Sequence, residues 1–184
     1  MPHRRLNPDL KARIARLKLM IFDVDGVLTD GRIIFQDGDI EHKAFDVKDG
    51  HGIKLLLGAG IEAAIITGRS SQVVNRRAAD LGIRRVYQKV HNKVEALGDI
   101  VRATGIEEAE LGYMGDDLID IPVLRRVGFA VAVADASPHI FPYAHYRTQA
   151  RGGHGACREV CELILQVQDR WNAVTERYFG RDSD

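Results

Sequence analysis

Two aspartates separated by one residue, Asp23 and Asp25, are the side chains of this sequence best placed to do chemistry. They follow directly on the apolar run Leu19–Phe22, and a glycine and Thr29 come soon after. A short apolar run that ends in turn residues predicts a buried strand opening into a loop. Ligands bind where the strands of open parallel sheets end, and two acids at such a point need a bound cation or a shared proton. The alternative is a polar loop with one capping aspartate.

Two later segments offer an anion site and a cation. Thr67, Gly68 and Arg69 follow the apolar run AAII, and a hydroxyl group with free backbone N–H groups at a helix start can bind an anion. Thr67 could instead simply cap that helix. Asn92 predicts another helix start, which puts Lys93 in the first turn. The positive end of a helix disfavours a lysine unless a phosphate or carboxylate lies nearby, and the alternative is a solvated surface lysine.

A cluster of acids follows the strand-like run that ends at Gly115. Asp116 stands at the strand exit, and Asp117 and Asp120 lie one helical turn apart. Helix capping accounts for one of these acids but does not readily account for three. Carboxylate oxygens are the ligands that hard cations prefer, and Mg²⁺ is commonly held by one or two carboxylates together with substrate phosphate. The cluster therefore favours a magnesium site.

Length and composition set limits on the class of protein. A chain of 184 residues is most simply one domain, and 26 basic residues balance 26 acidic ones. The resulting net charge near zero argues against nucleic acid or a membrane surface as the main partner. No apolar run reaches the length of a membrane span, and residues 1–18 look like a polar arm or short helix rather than a signal peptide. Cys157 and Cys161, four apart on one predicted helix, suit the core of a cytoplasmic protein.

The elements that must position these side chains alternate along the chain. Strands are predicted at 19–23, 63–67, 86–88, 111–115, 130–133 and 146–148. Helices are predicted at 52–57, 70–81, 93–104, 117–126 and 156–177. Strand–helix alternation with short connections predicts an α/β fold with a mostly parallel sheet covered on both faces.

One segment interrupts this alternation. Residues 31–48 contain two β-rich arms around Asp37-Gly38, which is a strong hairpin turn signal. A hairpin placed directly after the acidic strand end would stand over it as a flap or form a subunit interface. The alternative is an exposed hairpin without a role.

Taken in order along the chain, these motifs resemble those of the haloacid dehalogenase superfamily of phosphotransferases. The matching elements are DVDGV from Asp23, the Thr67 hydroxyl, Lys93 and GDDLID from Gly115. The resemblance spans nearly the whole chain. It implies a Rossmann-like α/β core, with residues 1–184 as a single domain, and a Mg²⁺-dependent phosphatase.

The resemblance also implies catalytic roles. Asp23 would attack phosphorus and form an aspartyl-phosphate, and Asp25 would protonate the leaving alkoxide and then deprotonate the attacking water. Thr67 and Lys93 would bind the phosphoryl oxygens, and Lys93 would also neutralise Asp23.

Metal binding follows from the same resemblance. Mg²⁺ would lie between Asp23, the backbone carbonyl of Asp25 and Asp116. Asp117 and Asp120 would act one step further out, holding Mg²⁺-bound waters or Lys93.

The chain looks like a small branch of this superfamily that has no cap domain. That branch is tetrameric and hydrolyses 3-deoxy-D-manno-octulosonate 8-phosphate on the way to bacterial lipopolysaccharide. The tail RGGHGACREVCELIL and the following helix, about 150–178, match as well. In that branch the glycine-rich tail segment, here including Gly153, reaches an active site, often that of a neighbour. The alternative is a plain flexible turn.

A sister branch acts on nine-carbon sialic-acid-type 9-phosphates and is the alternative substrate class. It carries Glu after the Thr-Gly pair and Lys eleven positions further on, where this chain has Arg69 and Asp80. Arg69 and Arg77 are candidate substrate contacts, because arginine binds a carboxylate through two parallel hydrogen bonds, and the alternative is a solvated surface charge. Gly68 is a further candidate. His42 and His154 stand at the flap and tail without an assigned role.

Three other classes of protein are less well supported. A receiver-type domain uses similar residues, but its phosphorylated aspartate follows a later strand than Asp23 does. A nucleotide kinase lacks support because the GxxxxGK[ST] loop is absent from the sequence. A non-catalytic assembly subunit of the same fold is disfavoured because the five polar residues Asp23, Asp25, Thr67, Lys93 and Asp116 are all present, and buried polar groups cost stability when unused.

Overall fold

The computed structural model describes residues 6–37 and 40–180. Gly38, half of the predicted hairpin turn, lies outside the described residues, as does the start of the predicted N-terminal arm. The remainder of that arm contains a short helix, which is one of the two predicted forms.

Alternation of strand and helix is confirmed along the described chain. The strands are β1 (Leu19–Phe22), β2 (Ile34–Gln36), β3 (Ile40–His42), β4 (Glu62–Ile66), β5 (Arg85–Tyr87), β6 (Leu111–Gly115), β7 (Phe129–Ala132) and β8 (Tyr146–Arg147). The α-helices are α1 (Pro8–Ala15), α2 (Val47–Gly58), α3 (Gln72–Leu81), α4 (Lys93–Thr104), α5 (Ile121–Leu124), α6 (Ala156–Val167) and α7 (Trp171–Thr175).

Six strands form a parallel sheet in the order β5-β4-β1-β6-β7-β8. Strand β1 lies between β4 and β6, and both β1 and β6 are buried along their whole length. Helix α2 packs on α3, and because crossovers between parallel strands are almost always right-handed, the strand order puts α2 and α3 on one face of the sheet and α4 and α5 on the other. Helix α6 packs on α2, and α4 packs on α5. This is the predicted mostly parallel α/β architecture, and the predicted strands of the sheet agree with the observed ones to within one residue at each end.

The predicted hairpin is present as the antiparallel pair β2–β3, in which Ile34 lies opposite His42. The hairpin follows the turn Val24–Leu28 at the end of β1 and precedes α2. No helix among residues 6–37 and 40–180 is long and apolar enough to cross a membrane. Cys157 and Cys161 are buried on α6, as expected of core residues.

Helix α2 begins at Val47, five residues before the predicted start. Asp46 caps it by accepting a hydrogen bond from the backbone N–H of Lys48. The glycines of its first turns allow close packing. A Cβ atom at Gly50 would lie 2.2 Å from the guanidinium of Arg77, and one at Gly52 would lie 3.1 Å from Cα of Arg158.

Two other helix predictions were wrong in extent. Residues 117–126 form a single 3-10 turn, Leu118–Asp120, followed by the short helix α5. The predicted helix 156–177 ends at Val167 because Asp169 adopts a left-handed conformation with φ of 55°. The chain then resumes as α7 and a 3-10 turn, Glu176–Tyr178.

Substitution of Gly128 tests how tightly the connection into β7 is packed. A Cβ atom there would lie 1.9 Å from the carbonyl oxygen of Ala109, and a backbone atom cannot give way easily. We expect Gly128→Ala to lower the free energy of unfolding by about 2–3 kcal/mol, measured by urea denaturation. The control is Gly58→Ala, since a Cβ at that position of α2 would meet no described atom within 4 Å apart from its chain neighbours and the helix's own backbone. This control should raise the free energy of unfolding by about 0.5–1 kcal/mol, and equal effects at the two sites would contradict the packing.

Candidate active site

The carboxyl ends of β1, β4 and β6 bring three predicted site residues to one edge of the sheet. Asp23 follows β1, Thr67 follows β4, and Asp116 follows β6. Because β1 pairs with both neighbours in parallel register, the three positions lie side by side. Asp23 is tied to β6 by a hydrogen bond from its N–H to the carbonyl of Met114, at 3.0 Å.

Lys93 lies at the centre of this edge, almost fully buried. Its Nζ is 2.7 Å from Oδ2 of Asp23, 2.7 Å from Oδ1 of Asp120 and 3.0 Å from the hydroxyl of Tyr113. Asn92 caps α4 as predicted and thereby places Lys93 at the first helical position. The two carboxylates supply the neighbouring negative charge without which a lysine is disfavoured at a helix start.

The surroundings of Asp23 and Lys93 determine the charge on each of them. Burial raises the pKa of Asp23 to about 6, against the lowering effect of Lys93. Burial acts to lower the pKa of Lys93, but the carboxylates of Asp23 and Asp120 outweigh it and raise that pKa. At neutral pH the site therefore holds an ammonium group beside an ionised Asp23, which is the state that a carboxylate nucleophile requires.

Tyr113 is a site residue that the sequence did not reveal. It lies in the middle of β6, is fully buried, and donates a hydrogen bond of 2.6 Å from its hydroxyl to Oδ1 of Asp120. Burial and the charge of Asp120 raise the pKa of Tyr113 well above its usual value, so the phenol stays protonated. The available signal was a tyrosine in an otherwise apolar strand, because a buried tyrosine hydroxyl usually has a partner.

Asp120 is fully buried and connects Lys93 to the backbone at the end of β6. Its Oδ2 accepts hydrogen bonds from the backbone N–H groups of Asp116 and Asp117, at 2.9 and 3.1 Å, while its Oδ1 is bonded to Lys93. The predicted contact between Asp120 and Lys93 is thus present. Asp117 is exposed and caps the 3-10 turn through the N–H of Leu118.

Three carboxylates crowd together with one ammonium group between them. Oxygen atoms of Asp23, Asp116 and Asp120 lie within 4.8 Å of one another. Burial, followed by the charges of Asp120 and Asp23, raises the pKa of Asp116 to about 8. An excess of partly buried carboxylate oxygens is the donor set that a hard divalent cation prefers, so these residues fit a bound Mg²⁺.

The loop that carries Asp25 turns sharply away from the end of β1. Gly26 has a φ of 94°, and a Cβ atom there would lie 2.1 Å from Oδ2 of Asp116. The carboxylate of Asp25 lies beside the ammonium of Lys43 from the hairpin, and its Oδ2 is 3.9 Å from Nε of Arg69. The loop therefore lies against the acid cluster on one side and places Asp25 beside the hairpin base.

Thr67 is buried and does not cap α3, because that helix begins at Gln72, two residues later than predicted. The intervening Thr67-Gly68-Arg69 segment is a loop next to the acids. Arg69 donates a hydrogen bond of 2.9 Å from Nη2 to Oε1 of Glu41 in β3. This arrangement places the hydroxyl of Thr67, which accepts a hydrogen bond of 3.5 Å from the N–H of Arg69, at a strand end beside a loop, which is a setting suited to anion binding.

The glycine-rich tail packs on the Asp25 loop of the same chain. A Cβ atom at Gly152 would lie 1.7 Å from the carbonyl oxygen of Gly26, and Gly153 donates from its N–H to the carbonyl of Val27 at 2.9 Å. The N–H of Gly152 is held by Oδ1 of Asp135, also at 2.9 Å. Gly152 is therefore needed for a close approach between two backbones.

Arg77 is the predicted site residue that the structure does not bring to the acids. Its Nη2 donates to the carbonyl of Asp46 at 3.1 Å, and its guanidinium lies 5.6 Å from the ring centre of Phe45. His42 bonds within the hairpin to Gln36, at 2.8 Å.

This combination of a parallel sheet and an acid–lysine cluster agrees with what comparison with known proteins finds. A family model described as haloacid dehalogenase-like hydrolase matches residues 80–158. The 3-deoxy-D-manno-octulosonate 8-phosphate phosphatase of Escherichia coli strain K12 is 47% identical over 165 residues, which are 90% of this chain and 88% of that protein.

Solved structures give the same result. The 3-deoxy-D-manno-octulosonate 8-phosphate phosphatase of Yersinia pestis is 46% identical, with a TM-score of 0.87 over 89% of this chain and 88% of that one. The Moraxella catarrhalis enzyme of the same name, in complex with magnesium ion, phosphate ion and KDO, is 41% identical, with a TM-score of 0.90 over 92% and 98% of the two chains. The chain belongs to the 3-deoxy-D-manno-octulosonate 8-phosphate phosphatase family within the haloacid dehalogenase-like hydrolases.

The raised pKa of Asp116 predicts that Mg²⁺ binding releases a proton. Without a cation this carboxyl is largely protonated below pH of about 8, whereas a metal ligand must be ionised. We expect close to one proton to leave at neutral pH, and Mg²⁺ affinity to increase with pH until about 8. Titration calorimetry in two buffers of different ionisation enthalpy measures the proton. Asp116→Asn should bind Mg²⁺ more weakly and release none, whereas an affinity independent of pH would contradict the prediction.

Proposed function

We propose that this chain hydrolyses 3-deoxy-D-manno-octulosonate 8-phosphate to the free sugar acid and phosphate, with Mg²⁺ as cofactor, in lipopolysaccharide biosynthesis. The observation that carries the proposal is the contact of Asp23 with Lys93 at the strand end of a chain that belongs to this phosphatase family. The relative from Moraxella catarrhalis is in complex with magnesium, phosphate and KDO, which supports both the substrate class and the cofactor.

We propose that Asp23 is the nucleophile and that Asp25 is the general acid and base. A carboxylate oxygen of Asp23 forms a bond to phosphorus while the bond from phosphorus to the sugar oxygen breaks. Asp25 gives its proton to that leaving oxygen, then takes a proton from the water that attacks the aspartyl-phosphate. Phosphate leaves and Asp23 is restored.

The phosphoryl oxygens in this proposal are bound by Thr67, the backbone of Gly68 and Lys93. Support comes from the buried threonine hydroxyl at the end of β4 and from the ammonium of Lys93, which is already 2.7 Å from Asp23. Donors fixed in place before the reaction stabilise the charge that develops on the transferring group, because they need no reorganisation.

The residues proposed to hold Mg²⁺ are Asp23, Asp116 and the backbone carbonyl of Asp25, with Asp117 and Asp120 one step further out. When bound, Mg²⁺ would shield the carboxylate nucleophile from the phosphate anion and stabilise the charge of the transition state. The excess of carboxylate groups over ammonium groups in the cluster supports this assignment.

Recognition of the sugar acid is assigned to Arg69, Arg77 and Gly153. Arg69 is half-exposed beside Asp25, which suits binding of a substrate carboxylate. Gly153 is supported by its contact with the Asp25 loop. Arg77 would have to leave its bond to the carbonyl of Asp46, so its assignment is the least supported of the three.

We further propose that residues 1–184 form one domain of a cytoplasmic homotetramer, in which part of the tail and helix 150–178 reaches a neighbouring active site. The hairpin would act as a flap or interface, and the exposed side chains of Ile33, Ile34 and Phe35 suit burial against another subunit. The glycine-rich segment that includes Gly153 is the proposed part of the tail, and in this chain it contacts the Asp25 loop. Two buried free cysteines are in keeping with a reducing compartment.

The direct test is phosphate release from octulosonate 8-phosphate, a nine-carbon sugar acid 9-phosphate and simple sugar phosphates, with and without Mg²⁺. We expect kcat/KM to be highest for the eight-carbon acid and to need the metal. Asp23→Asn should lower kcat by at least about 10³-fold, because its amide cannot attack phosphorus. Lys48→Ala, which changes an exposed lysine of α2, is the matched control and should keep full activity.

Other outcomes separate the alternatives. Preference for the nine-carbon acid would keep the chemistry but would overturn the assigned substrate. Absence of phosphate release from every member of the panel would favour a non-catalytic subunit of the same fold.

A further inference from the structure

The base of the hairpin is joined to the active site by a ring of alternating charges. The ammonium of Lys43, just after β3, contacts Oδ1 of Asp25 and lies 3.4 Å from Oε1 of Glu41. The same oxygen of Glu41 accepts from Nη2 of Arg69 at 2.9 Å, and Nε of Arg69 is 3.9 Å from Oδ2 of Asp25. Lys43, Arg69, Glu41 and Asp25 itself therefore form a ring of two cations and two anions.

Burial distinguishes Lys43 from an ordinary surface lysine. Its main chain gives the residue some exposure, but its side chain is only 1% exposed, and that of Glu41 is 13% exposed. An exposed ion pair restricts its side chains only weakly. A nearly buried ammonium group with two carboxylate partners has few alternative conformations that keep it paired. The contact thus fixes the direction in which the Asp25 side chain points.

The orientation of Asp25 matters because of its place in the proposed reaction. It lies in a loop whose backbone is held by Gly26 on one side and by the tail glycines on the other. Lys43 of the hairpin contacts one oxygen of the Asp25 side chain, and Arg69, from the loop after β4, lies near the other oxygen. A general acid must be within hydrogen-bond reach of the leaving oxygen, and small displacements lower the rate strongly.

We propose that Lys43 is a positioning residue that holds the general acid–base Asp25 toward the leaving group. The inference rests on the proposed function, since it takes Asp25 as the proton donor. It assigns the hairpin a part in the chemistry itself, in addition to any role as a cover or interface. Glu41 completes the arrangement, because its Oε1 contacts both Lys43 and Arg69.

Leaving groups of different basicity test this role. A sugar alkoxide must be protonated as it leaves, so its release depends on a correctly placed Asp25. The p-nitrophenolate ion is a stable anion at neutral pH and leaves without a proton. Since kcat/KM covers only the steps up to the first irreversible one, it reports attack by Asp23 and departure of the leaving group, and does not include the later hydrolysis of the aspartyl-phosphate.

The experiment compares Lys43→Met, Lys43→Arg and Asp25→Asn with the unchanged enzyme at saturating Mg²⁺. We expect Lys43→Met to lower kcat/KM for octulosonate 8-phosphate by about 10- to 100-fold and for p-nitrophenyl phosphate by less than about threefold. Asp25→Asn should give the same split with a larger loss, and Lys43→Arg should restore part of the sugar phosphate activity because it keeps the charge.

A double variant separates positioning from general damage to the fold. If Lys43 acts through Asp25, Lys43→Met added to Asp25→Asn should cost almost nothing further. Lys48→Ala serves as the matched lysine control, and thermal unfolding of each variant checks that the fold is retained.

Two results would overturn the inference. Equal losses for both substrates, or full additivity in the double variant, would mean that Lys43 only anchors the hairpin. Absence of activity of the unchanged enzyme on both substrates would overturn the proposed function together with the inference, and so differs from a failure of the Lys43 assignment alone.

Discussion

The structure depends on one buried interaction, the ammonium of Lys93 held between the carboxylates of Asp23 and Asp120. Removing these charges from water is costly, and the arrangement is stable only because each group is paired and hydrogen-bonded. Tyr113 and two backbone N–H groups supply the remaining bonds to Asp120. The contacts join the ends of β1 and β6 to the start of α4, so the fold and the reactive carboxylate are maintained by the same bonds.

A consequence of this arrangement is that Asp116 has no ammonium group of its own to balance the charge it would carry when ionised. Lys93 serves Asp23 and Asp120, and the burial of Asp116 beside both raises its pKa to about 8. The arrangement of Asp23, Asp116 and Asp120 therefore favours binding of a divalent cation. Close backbone contacts at Gly26 and Gly152 then hold the Asp25 loop against the cluster, and the hairpin reaches the same loop through Lys43.

Much of this could be predicted from the sequence because strand ends carry local signals. Apolar runs followed by Asp23, Thr67 and Asp116 defined the edge of the sheet, and Asn92 correctly placed Lys93 at a helix start. Local sequence signals were weaker where tertiary packing determines the backbone conformation. The predicted start of α2 was five residues too late, and the break at Asp169 depends on a backbone conformation that side-chain periodicity does not report. The roles of Tyr113 and Lys43 arise from contacts across the fold, with partners 7 and 18 residues away that no spacing rule pairs with them.

Asp23 is the residue proposed to carry the phosphoryl group during turnover. The most direct measurement is a single-turnover reaction with enzyme in excess, quenched rapidly and treated with borohydride, which reduces an acyl phosphate to an alcohol. Peptide mass spectrometry should then find homoserine at position 23 in proportion to the substrate consumed, and none without substrate or in Asp23→Asn. Reduction at another carboxylate, or rapid phosphate release with an unmodified position 23 at every quench time, would contradict the account.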